Sequence, residues 1–215
     1  MLPSHVEIIP VQLPGRENRL RDTPYDQVSP LVDTLAEVLW PYLTSPFAFF
    51  GHSMGALIAF ELTRQLRRKF GIGPAHLFVS GHRAPHLHNP FPALHKLPDP
   101  HFVHELQNRY GGIPDVILKD PELLLTFLPA LRADLKMVES YAYLDDRPLD
   151  CPLSVFGGLQ DTVVSQHEIA AWRHHTLGKF SVRMLLGDHF FVHKSQAHLV
   201  GAIAQDLTRH FFDAA

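Results

Sequence analysis

A serine, an aspartate and a histidine occur in an order that suits nucleophilic acyl transfer. Ser53 is the central residue of Gly51-His52-Ser53-Met54-Gly55, which matches the pattern G-x-S-x-G. Asp161 and His189 each come shortly after a predicted strand. A serine hydroxyl becomes a good nucleophile when a base takes its proton and an acceptor holds that base in one tautomer. The sequence therefore predicts Ser53 as nucleophile, His189 as general base and then acid, and Asp161 as the buried partner that orients the imidazole.

The segment around Ser53 has the strand, sharp turn and helix that this pattern requires. Phe47–Phe50 is a short apolar run that predicts a buried strand, and the apolar segment after Ser53 predicts a helix to about Phe70. The glycines two residues on either side of Ser53 are expected to prevent a Cβ clash between strand and helix. The backbone N–H of Met54, at the helix N-terminus, is predicted to donate to the developing oxyanion.

Other histidines and aspartates near these positions are interpreted as structural. His52 precedes the nucleophile, but its side chain is not expected to turn back onto Ser53. Asp188 is expected to stabilise a turn, and His193 to be structural or exposed. Three further aspartates precede a predicted strand instead of following it, which places them at the opposite edge of the sheet: Asp145, Asp146 and Asp150.

Strands and helices alternate along most of the chain, which predicts a mostly parallel sheet with helices on both faces. Apolar runs predict strands over 6–12, 47–50, 76–80, 153–157 and 181–186. Helical spacing, with an N-cap at Ser29 and a first-turn proline at Pro30, predicts a helix that ends near Pro41. Further helices are predicted over 54–70, 166–177 and from Ser195 onward. The predicted fold class is α/β with residues 1–215 as a single domain, and the chain order Ser, Asp, His is the one found in the α/β-hydrolase arrangement.

Residues 86–146 interrupt this alternation, because no strand pattern occurs among them. Asp99-Pro100 and Asp120-Pro121 each predict an N-cap followed by a first-turn proline, and Pro129 is expected to kink or divide the second helix. One interpretation makes these helices ordinary cover for the sheet. The favoured one makes 86–146 a helical lid inserted over the carboxyl edge, where ligands bind in open α/β folds, because the insertion exceeds any usual crossover.

Composition and charge limit the function classes. The 215 residues are 46% hydrophobic with a formal net charge of −3, and the basic residues form no long run, which argues against nucleic-acid binding. The single cysteine, Cys151, excludes an internal disulfide and a multi-cysteine zinc site. The sixteen histidines include the pairs His86/His88 and His174/His175, but no metal-ligand motif occurs. No segment reads as a membrane span or signal peptide, so a soluble cytoplasmic protein without metal or cofactor is expected.

Five segments resemble the type II thioesterases of non-ribosomal peptide and polyketide synthesis, over essentially the whole chain. They are Pro10-Val-Gln-Leu-Pro-Gly-Arg-Glu17, Phe49-Phe-Gly-His-Ser-Met-Gly-Ala56, Ser80-Gly-His-Arg-Ala-Pro85, Leu131-Arg-Ala-Asp134 and Gly187-Asp-His-Phe-Phe191. The resemblance implies hydrolysis of acyl groups from phosphopantetheine thiols of acyl or peptidyl carrier proteins, which clears stalled or misloaded units. It places the family's catalytic residues on Ser53, Asp161 and His189, and its lid on 86–146.

One departure from the family concerns the start of the chain. The resemblance implies a strand before Val6–Gln12 whose loop supplies a second oxyanion donor, and this sequence begins after that point. Loss of one donor typically lowers turnover by ~10²–10³. Two alternatives therefore stand beside the thioesterase interpretation. One is a lipase-like or small-ester hydrolase on the same fold, and the other is a catalytically impaired protein that only binds carrier proteins.

Overall fold

The computed structural model describes residues 2–212, and within them four strands form one parallel sheet. The strands are β1 (Ala48–His52), β2 (His76–Ser80), β3 (Leu153–Gly158) and β4 (Phe180–Leu185). Their spatial order is β1-β2-β3-β4, and each neighbouring pair is parallel. All four carboxyl ends therefore lie at one edge of the sheet, which is where the predicted site residues follow β1, β3 and β4.

The described residues also form α-helices. In chain order they are α1 (Val28–Leu39), α2 (Met54–Phe70), α3 (Asp99–Tyr110), α4 (Asp115–Leu118), α5 (Pro121–Glu139), α6 (Gln166–Ala170), α7 (Phe191–Lys194) and α8 (Gln196–Phe212). Short 3-10 helices occur at Glu17–Arg19, Trp40–Tyr42 and Ala171–His175. Within residues 2–212, no helix combines the length and apolar character needed to cross a bilayer.

The core lies around the two central strands. All five residues of β2 are buried, and successive side chains of a strand point to opposite faces, so both faces are covered at β2. On one face, Phe78 and Phe156 pack with Leu199 and Leu207 of α8. The prediction of an α/β fold with a parallel sheet is confirmed.

Several element ends follow the expected local chemistry. Asp120 caps α5, because its Oδ1 atom accepts hydrogen bonds from the N–H groups of Glu122 and Leu123 at 3.0 and 3.1 Å. Helix α2 ends at Gly71, which adopts a left-handed conformation with φ 69°. The caps predicted at Asp99 and Ser29 are wrong by one or two residues, since α3 begins at Asp99 itself and α1 at Val28.

The strand predicted over residues 6–12 is wrong, because this segment has no regular secondary structure. Pro10 cannot donate a ladder hydrogen bond. The apolar side chains of Ile8, Ile9 and Val11 are largely exposed, so these residues of the predicted strand do not pack in the core.

Two helix predictions also need correction. Helix α5 runs continuously through Pro129, so the predicted division is wrong, and the alternative of a kink at Pro129 stays a prediction. Pro129 has no N–H to donate to the carbonyl of Leu125, four residues earlier. The side chain of Leu125 is exposed, so water can reach this face of the helix. The helix predicted over 166–177 is α-helical only to Ala170 and continues as a 3-10 helix to His175.

The chain divides into two compact units. The first comprises residues 2–7, 32–87 and 143–212 and holds the whole sheet. The second comprises residues 8–31 and 88–142 and has its own apolar core of Leu94, Phe102, Leu106, Ile113 and Leu128. Inside this second unit, Arg16 forms an ion pair with Asp134, so two of the family-like segments meet there. Burial raises the pKa of Asp134, and the hydrogen bond from Arg16 opposes that rise.

Candidate active site

The backbone at Ser53 adopts a conformation that non-glycine residues seldom occupy. Ser53 lies between β1 and α2 with φ 52° and ψ −120°. Its N–H donates to the carbonyl of Ser80 at 2.7 Å, which ties the turn to the end of β2. A residue held in this way by its surroundings is typical of functional sites, where strain fixes a side chain in one place.

Only one of the two flanking glycines is needed for the turn. A Cβ atom on Gly51 would lie 2.0 Å from the carbonyl oxygen of Gly55, whereas a Cβ atom on Gly55 would meet nothing within 4 Å. The expectation that both glycines prevent a clash is therefore correct for Gly51 and wrong for Gly55. The asymmetry arises because the chain of Gly51 passes directly beneath the first turn of α2.

The N–H of Met54 lies at the start of α2. Because Met54 is the first residue of the helix, its N–H has no carbonyl acceptor one turn earlier in that helix. The partial positive charge of a helix N-terminus favours a developing anion at this point.

Asp161 follows β3 and is held on both of its oxygens. Its Oδ1 atom accepts from the N–H groups of Val163 and Val164 at 2.8 and 3.1 Å. Its Oδ2 atom lies 3.0 Å from Nδ1 of His189. The side chain is only 1% exposed, so the carboxylate has one fixed orientation. The sequence analysis did not identify the two valines, although an aspartate bonding to N–H groups two and three residues later is a common turn.

His189 links Asp161 to Ser53. Its Nε2 atom lies 2.9 Å from the Oγ atom of Ser53, and its side chain is 4% exposed. An ionised carboxylate only accepts, so the proton of the neutral imidazole lies on Nδ1 and is donated to Asp161. Nε2 is then the acceptor for the Ser53 hydroxyl. His189 therefore lies within hydrogen-bond distance of both Ser53 and Asp161, in the arrangement required for proton transfer from serine to histidine.

The loop that carries His189 crosses the end of β3 at Gly158. A Cβ atom on Gly158 would lie 2.4 Å from the carbonyl oxygen of Asp188. Gln160 fastens the loop, because its N–H donates to the carbonyl of Gly187 at 2.9 Å and its side-chain oxygen accepts from the Gly187 N–H at 2.6 Å. Gly158 and Gln160 were missed by the sequence analysis, since nothing local marks a crossing between segments distant in the chain.

His52 lies beside this arrangement without touching Ser53 through its side chain. Its Nδ1 atom is 2.9 Å from Oγ of Ser80, and its ring centre is 5.4 Å from that of His189. Burial, and then the nearby His189, lower the pKa of His52 to about 4. His52 is therefore neutral near pH 7 and adds no charge next to the imidazole of His189.

The remaining candidates have other partners. The Oδ1 atom of Asp188 accepts from the N–H of Phe190 at 2.9 Å, in the turn that was expected. Asp146 pairs with Arg64 and Arg67 at 3.5 and 3.1 Å. Two more side chains contact neighbours in the same way: Asp145 accepts from Tyr143, and Asp150 pairs with Arg147.

The paired histidines also bond within the protein. Nδ1 of His86 lies 2.8 Å from Nε2 of His175, and burial followed by the neighbouring His86 lowers the pKa of His175 to about 4. Among residues 2–212, no group of three or more histidine, cysteine, aspartate or glutamate side chains is arranged to hold a metal ion.

The chain is similar to known proteins over nearly its whole length. A family model described as a thioesterase domain matches residues 1–208. The protein named linear gramicidin dehydrogenase LgrE, from Brevibacillus parabrevis, is 46% identical over 209 residues, and the match covers 96% of this chain and 79% of LgrE.

Two solved structures are similar as well. RedJ, a thioesterase from the prodiginine biosynthetic pathway of Streptomyces coelicolor, has a TM-score of 0.88 at 40% identity, and the match covers 95% of this chain and 81% of RedJ. YbtT, a type II thioesterase from the yersiniabactin NRPS/PKS biosynthetic pathway, has a TM-score of 0.80 at 33% identity, with 94% of this chain and 80% of YbtT covered.

Proposed function

The chain belongs to the thioesterase domain family, and from that premise we propose that it hydrolyses acyl groups carried on the phosphopantetheine thiols of carrier proteins. It is a serine hydrolase that acts on thioesters. The pathway is proposed from its relatives, since YbtT is named for an NRPS/PKS pathway and RedJ for prodiginine biosynthesis. The observation that carries the proposal is the pair of contacts that His189 makes with Ser53 and Asp161.

The first half of the proposed reaction forms an acyl-enzyme. Oγ of Ser53 bonds to the thioester carbonyl carbon while its proton passes to Nε2 of His189. The negative oxygen that forms is stabilised by the N–H of Met54. Asp161 stabilises the imidazolium through Nδ1. The carbon–sulfur bond then breaks, and the sulfur takes the proton from Nε2 of His189 and leaves as the carrier thiol, so the imidazole is neutral again.

The second half returns the enzyme to its starting state. A water molecule gives a proton to Nε2 of His189 as its oxygen bonds to the acyl carbon. Oγ of Ser53 leaves and recovers its proton from the imidazolium, which releases a carboxylic acid. A thiol ionises near pH 8.5 in model compounds, so thiolate leaves with less help from an acid than an amine would need. The reaction needs no bound cofactor, because the phosphopantetheine belongs to the partner.

The partner we propose is an acyl or peptidyl carrier protein domain of a synthase, with removal of stalled or misloaded units as the task. The location in the cytoplasm and the role of residues 86–146 as a lid stay predictions from the sequence.

The test is acyl release from a loaded carrier protein. Wild type is compared with Ser53→Ala, His189→Ala and the control His193→Ala, which changes a histidine four residues away whose ring stacks on Phe190. We expect the first two variants to release acid at least ~10⁴-fold more slowly than wild type and His193→Ala to keep the wild-type rate. Equal rates in all four proteins would overturn the assignment.

Substrate class is tested in the same assay. A matched oxygen ester of the same acyl chain separates a thioesterase from a lipase-like hydrolase, which would prefer the oxygen ester. Binding of carrier protein by wild type with no release of acid would support the impaired, binding-only alternative.

A further inference from the structure

The loop after β2 is bonded to the segment that holds Asp161, although it supplies no reacting group. This loop, Gly81–Pro85, follows the strand that lies between β1 and β3. The indole N–H of Trp172 donates to the carbonyl of His82 at 2.7 Å, and the N–H of Ala84 donates to the carbonyl of Glu168 at 3.2 Å. These contacts join the loop to α6 and the turn after it.

Arg83 makes the contact closest to Asp161. Its side chain is 9% exposed, Nη1 lies 3.5 Å from Oε1 of Glu168, and Nη2 donates to the carbonyl of Val163 at 3.0 Å. Glu168 is itself fixed, because its carboxylate accepts from the N–H and hydroxyl of Ser165 at 2.8 and 2.9 Å. The guanidinium therefore contacts both a fixed anion and the peptide carbonyl of Val163.

That carbonyl shares a rigid peptide unit with a donor to Asp161. The C=O of Val163 and the N–H of Val164 belong to the same planar peptide bond. The carbonyl accepts from Arg83, and the N–H donates to Oδ1 of Asp161 at 3.1 Å. A tilt of this peptide that followed the loss of Arg83 would move the donor that orients the carboxylate. A charged donor on the carbonyl also polarises the amide and strengthens the hydrogen bond on its other side.

We propose that Arg83 is a positioning residue that sets the orientation of Asp161 through the Val163–Val164 peptide, and thereby the imidazole of His189. This inference rests on the proposed hydrolysis for its kinetic consequence. Small displacements of a reacting group are costly, since a shift of about 1 Å can lower a rate by ~10²-fold.

Arg64 serves as a control for the possibility that Arg83 only stabilises the fold. Arg64 is also a buried arginine of the first unit, paired with Glu61 at 2.6 Å and donating to the carbonyl of Leu144. Its partners Glu61, Asp146 and Leu144 do not belong to the Ser53–His189–Asp161 arrangement. Arg64→Ala removes the arginine partner of the buried Glu61 carboxylate, so it should lower the free energy of unfolding and leave the turnover of the folded protein unchanged.

The kinetic test is a double-mutant cycle. Arg83→Lys keeps a positive charge facing Glu168 but cannot reach two acceptors in the fork geometry of arginine. We expect it to lower kcat by ~10–100-fold with KM changed less than ~2-fold. In an Asp161→Asn background the same substitution should cost less than ~3-fold, because the group through which it acts is already impaired. The same factor in both backgrounds, or the same loss in Arg64→Ala, would show that Arg83 only supports the fold.

A second readout does not depend on turnover. The proton between Nδ1 of His189 and Asp161 is expected as a far-downfield signal in the proton NMR spectrum. It should move or broaden in Arg83→Lys and stay in place in Arg64→Ala, even if the protein hydrolyses no thioester. An unchanged signal in Arg83→Lys would overturn the positioning role, whereas an inactive wild type with the expected NMR difference would contradict only the proposed reaction.

Discussion

Nε2 of His189 lies 2.9 Å from Oγ of Ser53, although 136 residues separate them in the chain. The distance is already in the range for proton transfer, whereas such hydrogen bonds are often long in the absence of substrate. Four strand ends at one sheet edge, a strained turn at Ser53 and the crossing at Gly158 together produce this proximity.

Asp161→Asn should lower kcat by ~10⁴ with little change in fold. The N–H groups of Val163 and Val164 require an acceptor at the position of Oδ1, so the amide oxygen takes that place. The amide NH₂ then faces Nδ1 of His189, which must become an acceptor. The imidazole proton moves to Nε2, where it prevents Nε2 from accepting the Ser53 proton.

Steady-state hydrolysis measures the loss. The control Asp188→Asn, which keeps an acceptor for the N–H of Phe190, should retain activity. An active Asp161→Asn enzyme would exclude this role.

Gly51→Ala and Gly55→Ala should differ in stability, although both glycines belong to the same motif. The Cβ atom at residue 51 would lie 2.0 Å from a backbone oxygen, and the one at residue 55 would meet open space. We expect Gly51→Ala to lower the free energy of unfolding by about 2–4 kcal/mol and Gly55→Ala to stay within about 1 kcal/mol of wild type. Urea unfolding followed by circular dichroism measures both, and similar values for the pair would contradict the described turn.

Stability should fall as the pH drops below 6.5, because three histidines are held neutral. Burial is the main cause that lowers the pKa values of His52, His82 and His175 to about 4. Between pH 4 and 6.5 the unfolded chain binds protons that the folded chain does not, so each histidine lowers the free energy of unfolding by about 1.4 kcal/mol per pH unit. The stability that the three neutral histidines retain is therefore present in full above pH 6.5 and is lost as the pH falls towards 4.

Urea unfolding at pH 7, 6 and 5 measures this dependence. His175→Gln should show a shallower decrease than wild type, since one of the three groups no longer titrates. A free energy of unfolding that is constant from pH 7 to 5 would contradict the burial of these rings.

Cys151 should be inert in the folded protein. Burial raises the pKa of its thiol to about 11, so almost no thiolate exists at pH 8. Ellman's reagent should label this single cysteine slowly in native protein and rapidly in 6 M guanidinium chloride. The same reagent can then report carrier thiol release without background from the enzyme. Rapid labelling of native protein at pH 8 would be the contrary result.

Local chemistry in the sequence was sufficient for much of the fold. Strand β2, the end of α2 at Phe70 and the cap at Asp120 occur as predicted, because each depends on residues next to one another in the chain. The α/β class and the membership in the thioesterase family are confirmed. The segment 6–12 was mistaken for a strand because an apolar run does not show whether a neighbouring strand is present to pair with it.

The supporting contacts of the site could not be predicted in the same way. Gly158, Gln160 and Arg83 act through partners that are distant in the sequence, and neither periodicity nor a motif records such pairs. Asp161 and His189 were identifiable because chain order and strand ends restrict the choice. The residues that hold them in place had no equivalent restriction.

The crossing at Gly158 has a consequence for how such sequences can diverge. His189 can approach Ser53 only because residue 158, in the strand before Asp161, has no side chain to block the loop. A homologue with any larger residue at this position should retain hydrolysis only if its β4 loop is longer and passes around the added atoms. Residue size at 158 and the length of that loop are therefore expected to covary.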